Sequence, residues 1–123
     1  MKTPVIVYED NAYMRESIAG LISGSGKFEL KGAFENCNQI SVQMETLKPH
    51  VVLMDIQMPN VDGIEGVKLI RKNFPEIKIL MQTVFEDDEK VFESLRSGAS
   101  GYILKKASPE KILEAIKDIY EGG

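Results

Sequence analysis

Polar side chains suited to phosphate and cation chemistry follow four apolar runs of the sequence. Glu9 and Asp10 end the first run, and Asp55 ends the second. Thr83 and Lys105 follow two later runs. Crowded carboxylates resist ionisation unless a cation shares them, and Mg²⁺ prefers oxygen ligands. An ammonium and a hydroxyl suit a phosphoryl group, so these residues predict a site that binds Mg²⁺ and handles phosphate.

Asp55 is the candidate nucleophile of this site. Residues 51–54 are apolar without alternation, which is typical of a strand covered on both faces. A charge at the end of such a strand is costly unless it has a partner or a function. A carboxylate can attack phosphorus and form an aspartyl-phosphate. His50, the only histidine, precedes this strand, and no serine or cysteine with a paired histidine is visible.

Five strand–helix pairs must position these residues. Strands are predicted over residues 4–8, 28–34, 51–54, 77–81 and 101–104, with a helical pattern after each. Strict alternation implies an α/β fold, with a parallel sheet and helices on both faces. The carboxyl ends of parallel strands lie along one edge, where open sheets of this kind bind ligands.

The helices have recognisable beginnings and apolar faces. The residues that we expect to cap a helix are Asn11, Asn36 or Asn38, Asp62 and Ser108. The residues that we expect on the apolar faces of the second and fourth helices include Cys37, Val91 or Phe92, and Leu95. Asp62 is better placed than Asp55 to cap the third helix, which favours a functional role for Asp55.

Composition excludes several classes of protein. The 123 residues are enough for one domain, and a net charge of −4 argues against nucleic-acid binding by this chain itself. A single cysteine excludes an internal disulfide framework and a thiolate metal cluster. No apolar run has membrane-spanning length, and the N-terminus does not resemble a signal peptide. We therefore expect a cytoplasmic protein that makes no membrane contact.

Four stretches of the sequence resemble the receiver domain of two-component response regulators. They are residues 5–11, residues 52–63, Thr83 and residues 98–105, in the order and spacing of that family. The resemblance covers essentially the whole chain, 1–123. It implies a flavodoxin-like, doubly wound, five-stranded parallel sheet with strand order 2-1-3-4-5.

The resemblance also implies a phosphorylation site. Asp55 would be the phosphoacceptor, and Asp10 and Asp55 would ligate Mg²⁺ together with the backbone carbonyl of Gln57. Glu9 would act mostly through water. The family more often has Asp-Asp where this chain has Glu9-Asp10, a substitution that we expect to be tolerated with a looser metal site.

A switch would follow phosphorylation. The resemblance implies that Lys105 pairs with the phosphate and that Thr83 hydrogen-bonds it. Tyr102 would be the switch aromatic, turning inward as Thr83 moves, and the output would be a changed surface of the fourth helix, fifth strand and fifth helix. Many family members have proline after the lysine, whereas this chain has Lys106, which leaves the geometry of the Lys105–Lys106 peptide bond open.

The implied partners are those of a regulatory protein. A sensor histidine kinase would supply the phosphoryl group, and phosphorylation could drive homodimerisation. Residues 98–105 and the Ser108 helix resemble receivers that precede a LuxR-type helix-turn-helix output domain. We expect the chain to be a fragment of such a regulator, with DNA binding and transcription control residing in an output domain outside these residues.

Three other functions compete with this interpretation. A flavin-binding module would need a phosphate-cradling loop where Glu9 and Asp10 place negative charge. A Mg²⁺-dependent phosphohydrolase with an aspartyl nucleophile usually has a second aspartate where Gln57 stands. A pseudo-receiver would bind partners without phosphorylation, and the full set of acidic-site groups argues against it.

Gln57 and Phe85 are expected to set the lifetime of the phosphoryl group. Each lies two residues beyond a site residue and would flank the line of water attack, and Phe85 has no polar atom to orient water. We predict slow self-dephosphorylation that the substitution Phe85→Glu accelerates. A lifetime unchanged by Phe85→Glu, measured by loss of the phosphorylated species, would show that Phe85 only fills space.

Overall fold

A parallel sheet of five strands forms the centre of the molecule. The strands are β1 (Thr3–Tyr8), β2 (Phe28–Phe34), β3 (Val51–Asp55), β4 (Lys78–Thr83) and β5 (Gly101–Leu104). Their order is β2-β1-β3-β4-β5, and every neighbouring pair is parallel. The computed structural model describes residues 2–56, 58, 62–84 and 89–122. The predicted α/β fold and strand order are confirmed, with β2 and β5 at the edges of the sheet.

Five helices cover both faces of the sheet. They are α1 (Ala12–Gly24), α2 (Ile40–Leu47), α3 (Gly63–Asn73), α4 (Glu89–Arg96) and α5 (Pro109–Tyr120). Buried residues of α1 and α5 pack on one face, and those of α2, α3 and α4 pack on the other. Alternate residues of the central strands enter the two clusters, so β3 is buried along its whole length. Within the described residues, no helix combines the length and apolar character needed to cross a bilayer.

Three of the predicted helix caps are confirmed by hydrogen bonds to backbone N–H groups. Asn11 Oδ1 accepts from Met14 N at 2.9 Å at the start of α1. Asp62 Oδ1 accepts from Glu65 N at 3.0 Å, and Ser108 Oγ accepts from Lys111 N at 3.4 Å. Because Asp62 caps α3, Asp55 is not needed for that role.

The predicted start of α2 was wrong. Asn36 Oδ1 accepts a hydrogen bond from Asn38 N at 3.0 Å, which forms a local turn instead of capping a helix. The helix begins later, at Ile40, and its N-cap residue Gln39 makes no side-chain capping bond. Cys37 therefore precedes α2, although it is buried in the core as expected.

The inward face of α4 also differs from the prediction. Val91 is buried, but Phe92 is 67% exposed and Leu95 is 36% exposed. Ser94 takes the second inward position, because its hydroxyl donates a 2.7 Å hydrogen bond to Val91 O and is satisfied within the helix. A helical pattern read from apolar residues alone therefore misplaced Leu95.

Arg71 ties the end of α3 to the turn that follows α4. Its Nε and Nη2 atoms donate to Gly98 O at 3.0 and 2.6 Å, and Nη1 donates to Pro75 O at 2.6 Å. Gly98 has φ +121°, and a Cβ atom there would lie 2.8 Å from Arg71 Cγ. The position of Arg71 therefore depends on a glycine at position 98, because a side chain there would displace the guanidinium.

We predict that Arg71→Met lowers the free energy of unfolding by about 2 kcal/mol, because it leaves the two carbonyl groups without their charged donor. Urea denaturation measures this difference. Lys72→Met removes an exposed cation from the next position and should change stability by less than about 0.5 kcal/mol. Equal effects of the two substitutions would show that the Arg71 hydrogen bonds contribute nothing.

Candidate functional site

The sequence-predicted residues meet at the carboxyl edge of the sheet. A cavity of about 330 Å³ opens there, and the residues that line it are Asp10, Asn11, Asp55, Ile56, Thr83, Val84 and Lys105. Asp55 ends β3, Thr83 ends β4 and Lys105 directly follows β5. Parallel strand direction brings them together, as their spacing along the chain predicted.

Lys105 joins two buried carboxylates. Its Nζ atom lies 3.0 Å from Asp55 Oδ2 and 2.9 Å from Glu9 Oε1. Glu9 is fully buried, and Asp55 is 4% exposed. Two negative charges therefore lie out of water around one positive charge, and this arrangement leaves an excess of negative charge in the site.

This arrangement shifts the proton affinity of both partners. Burial raises the pKa of Asp55 to about 7; contact with Lys105 opposes the shift, and the charge of Glu9 adds to it. Burial alone would lower the pKa of Lys105, but its contacts with Glu9 and Asp55 outweigh burial, so that the pKa is raised. Lys105 therefore stays charged, while Asp55 needs additional positive charge to ionise fully at neutral pH.

A metal ion held by three carboxylates would supply that positive charge. Glu9, Asp10 and Asp55 each offer an oxygen, and the three oxygens lie within 4.8 Å of one another. Although Glu9 Oε1 is close to Lys105, it accepts no well-aligned hydrogen bond from the described residues and so retains capacity for another partner. Carboxylate oxygens beside an open cavity fit Mg²⁺. Gln57, whose backbone carbonyl was the third expected ligand, lies outside the described residues.

Local hydrogen bonds fix the acidic pair at the end of β1. Asn11 N donates to Glu9 Oε2 at 3.1 Å. Arg15 Nη1 donates to the backbone oxygens of Glu9 and Asp10 at 2.9 and 3.4 Å. The sequence analysis did not identify Arg15; its position in the first turn of the helix after the acidic pair was the available signal.

Gly63 permits the chain to turn back beside Asp55. Its N–H donates to Ile56 O at 2.8 Å. A Cβ atom at this position would lie 2.0 Å from Asp55 O, which is far inside contact distance. The absence of a side chain at position 63 is therefore a condition for the backbone geometry of Asp55.

Other predicted residues lie around the site or away from it. Tyr102 on β5 is 45% exposed, while Phe85 lies outside the described residues. His50 precedes β3, whereas the site residues follow the carboxyl ends of the strands, so it lies away from the site. Its ring stacks on Tyr120, with ring centroids 5.8 Å apart. No cis peptide bond occurs in the described part of the chain, so the Lys105–Lys106 bond is trans.

The raised pKa of Asp55 predicts a pH-dependent stability. Between about pH 4 and 7 the folded protein keeps a proton that the unfolded chain has lost, so the free energy of unfolding falls as pH rises through this window. Asp55→Asn should flatten this dependence by about 3 kcal/mol when urea denaturation in EDTA is compared at pH 4.5 and 8.

Asp118→Asn provides the matched control, because Asp118 is an exposed aspartate on α5. Its pH dependence should equal that of the wild type. A wild-type profile that is already flat between pH 4.5 and 8 would show that Asp55 ionises normally.

The sequence and the fold both have close relatives. The model of the response regulator receiver domain family matches residues 5–117. The transcriptional regulatory protein LnrK of Bacillus subtilis (strain 168) is 36% identical over 119 residues, which are 97% of this chain and 54% of that protein. The response regulator protein VraR of Staphylococcus epidermidis is 34% identical over 122 residues, which are 99% of this chain and 58% of that protein. The chain thus spans little more than half of these relatives.

Solved structures agree with the sequence relatives. A LuxR-family DNA-binding response regulator from Staphylococcus aureus superposes with a TM-score of 0.89 and 30% identity, over 96% of this chain and 98% of that one. The response regulator domain of Thermotoga maritima CheB gives a TM-score of 0.90 and 30% identity, over 98% of both chains. Receiver domains are signalling modules rather than conventional enzymes. This chain belongs to the response regulator receiver domain family.

Proposed function

We propose that this domain is a switch that accepts a phosphoryl group on Asp55 in the presence of Mg²⁺. The observation that carries the proposal is the position of Asp55. Asp55 lines the cavity, its carboxylate lies 3.0 Å from the ammonium of Lys105, and the carboxylates of Glu9 and Asp10 are close by. These groups match what in-line transfer to a carboxylate requires.

The residues of this chain have distinct tasks in that reaction. Asp10 and Asp55 would hold Mg²⁺ directly, Glu9 through water, and the backbone carbonyl of Gln57 would complete the set. When bound, Mg²⁺ would supply positive charge that favours the ionised form of Asp55 and offsets the charge of the transferring phosphoryl group. Lys105 pairs with phosphoryl oxygens, and Asp55 Oδ attacks phosphorus as the bond to the donor's leaving group breaks.

The switch follows from new contacts after phosphorylation. The modified Asp55 carries additional charge and acceptor oxygens, which attract Lys105 and the Thr83 hydroxyl. Thr83 is buried at the end of β4, so its movement changes the connection to α4. Tyr102, half exposed on β5, turns inward as Thr83 moves. The surface of α4, β5 and α5 then differs between the two states.

The partners follow from the family and the relatives. A sensor histidine kinase supplies the phosphoryl group, and the phosphorylated domain controls a C-terminal DNA-binding output domain, with homodimerisation as a possible step. Relatives named as transcriptional regulators support this proposal, since they extend well beyond the part that matches this chain. The net charge of −4 supports assigning DNA contact to the output domain. The cytoplasm is the compartment in which such a regulator acts.

We predict that acetyl phosphate with Mg²⁺ adds one phosphoryl group to the wild-type chain, as measured by intact mass. Asp55→Asn should abolish the addition because the attacking oxygen is gone. EDTA should abolish it as well, and Asp10→Asn should reduce its rate by at least about tenfold, because a metal ligand is lost.

Asp118→Asn serves as the control and should be phosphorylated like the wild type. Unmodified wild-type protein, or modification that persists in Asp55→Asn, would refute the assignment of Asp55. Many turnovers of an aryl phosphate per chain would instead identify a phosphohydrolase.

A further inference from the structure

Gln82 is a buried amide that the proposed reaction does not use. It lies in β4 and is fully buried, and neither Oε1 nor Nε2 has a hydrogen-bond partner among the described residues. An unpaired buried amide destabilises a fold, and an apolar side chain of similar size would remove that cost. The amide is therefore expected to find its partner in another arrangement of the neighbouring groups.

The sheet register identifies those neighbours. Tyr8 pairs with Met54, so Glu9 comes level with Asp55, and Asp55 itself pairs with Gln82. Gln82 pairs in turn with Ile103, two residues before Lys105. Paired residues of parallel strands point to the same face, and so do residues two apart on one strand. One row on the α1 and α5 face therefore contains Glu9, Asp55, Gln82 and, next to Ile103, Lys105.

Lys105 must cross β4, the strand that carries Gln82, to reach its partners. β4 separates β5 from β3, yet Lys105 Nζ lies 3.0 Å from Asp55 Oδ2 and 2.9 Å from Glu9 Oε1. An ammonium has three donor hydrogens, and an amide offers one acceptor oxygen and two donors. Gln82 is thus the one neutral hydrogen-bonding side chain of this row, between the phosphoacceptor and the lysine.

We propose that Gln82 is a positioning residue for the Asp55–Lys105 pair in the phosphorylated domain. As Lys105 turns from the carboxylate towards the phosphoryl oxygens, it gives up contacts within the row. The Gln82 amide then hydrogen-bonds the pair, which fixes Lys105 on the phosphoryl group and stabilises that state. The inference deepens the proposed function and rests on it.

The test compares Gln82→Leu and Gln82→Met with the wild type. Each protein is melted without ligand and with Mg²⁺ and beryllium trifluoride, a phosphoryl analogue. Without ligand, both variants should melt at or above the wild-type temperature, because the unpaired amide is gone. The rise in melting temperature on adding the analogue should fall to less than half of the wild-type rise. The aspartyl-phosphate should decay about fivefold faster, the effect of losing one hydrogen bond.

Leu80→Met is the matched control, since it changes an apolar side chain on the same strand and face, two residues earlier. Its ligand-induced rise should equal that of the wild type. Gln82→Asn keeps an amide and should restore part of the ligand-induced rise in melting temperature that the Gln82→Leu and Gln82→Met variants lose. A side chain with only a structural role would shift the melting temperature without ligand and the melting temperature with the analogue equally.

Two results would overturn the inference. One is an unchanged ligand-induced rise in both apolar variants. The other is a fall in melting temperature or a failure to fold in both of them, since the amide would then have its partner before phosphorylation. Failure of the proposed function gives a different result, because the wild type itself would show neither a rise with the analogue nor phosphorylation by acetyl phosphate.

Discussion

The site depends on placing two carboxylates out of water around a single ammonium. Glu9 and Asp55 are both buried and both contact Lys105. Burial of like charges costs free energy, and one lysine offsets only part of that cost. Burial raises the pKa of Asp55, the charge of Glu9 adds to the shift, and the uncompensated negative charge favours further positive charge in the site. The chemistry proposed for this edge of the sheet thus depends on incomplete charge compensation.

The parallel sheet maintains this unfavourable arrangement. Glu9 directly follows β1 and Asp55 ends β3, and each of these strands is paired with a neighbouring strand on both sides, so the two carboxylates cannot separate without disrupting the sheet. Gly63 and Arg15 add local constraints, one by allowing close backbone approach and the other by binding the carbonyls of the acidic pair. The stability of the core therefore supports a site that is itself destabilising.

The sequence predicted the fold, and it predicted which polar residues meet at the carboxyl edge of the sheet, because both depend on local pattern. Unbroken apolar runs identified the buried strands, and strand ends in a parallel sheet must meet, so Asp55 and Lys105 could be brought together without coordinates. Elsewhere the pattern gave wrong predictions, because polar side chains formed hydrogen bonds with nearby backbone groups. Asn36 formed a turn of its own, and Ser94 satisfied its hydroxyl inside α4 and displaced Leu95 from the inward face.

Some features could not be read from sequence because they depend on long-range register. In the sequence Gln82 is simply one of two polar residues after an apolar run, and only the pairing with Asp55 and Ile103 shows that it lies within the charged row. Arg71 likewise appeared as an ordinary basic residue in the last turn of a helix. Its partner Gly98 is 27 positions away in the chain.

The hydrogen bonds of Arg71 have a mechanical consequence for α4. They fasten the turn after the C-terminal end of this helix to the end of α3. In the proposed switch, a displacement that originates at the end of β4 would therefore tilt α4 about its fastened end. The largest excursion then falls on the first turn of α4, and the smallest on the turn that leads into β5.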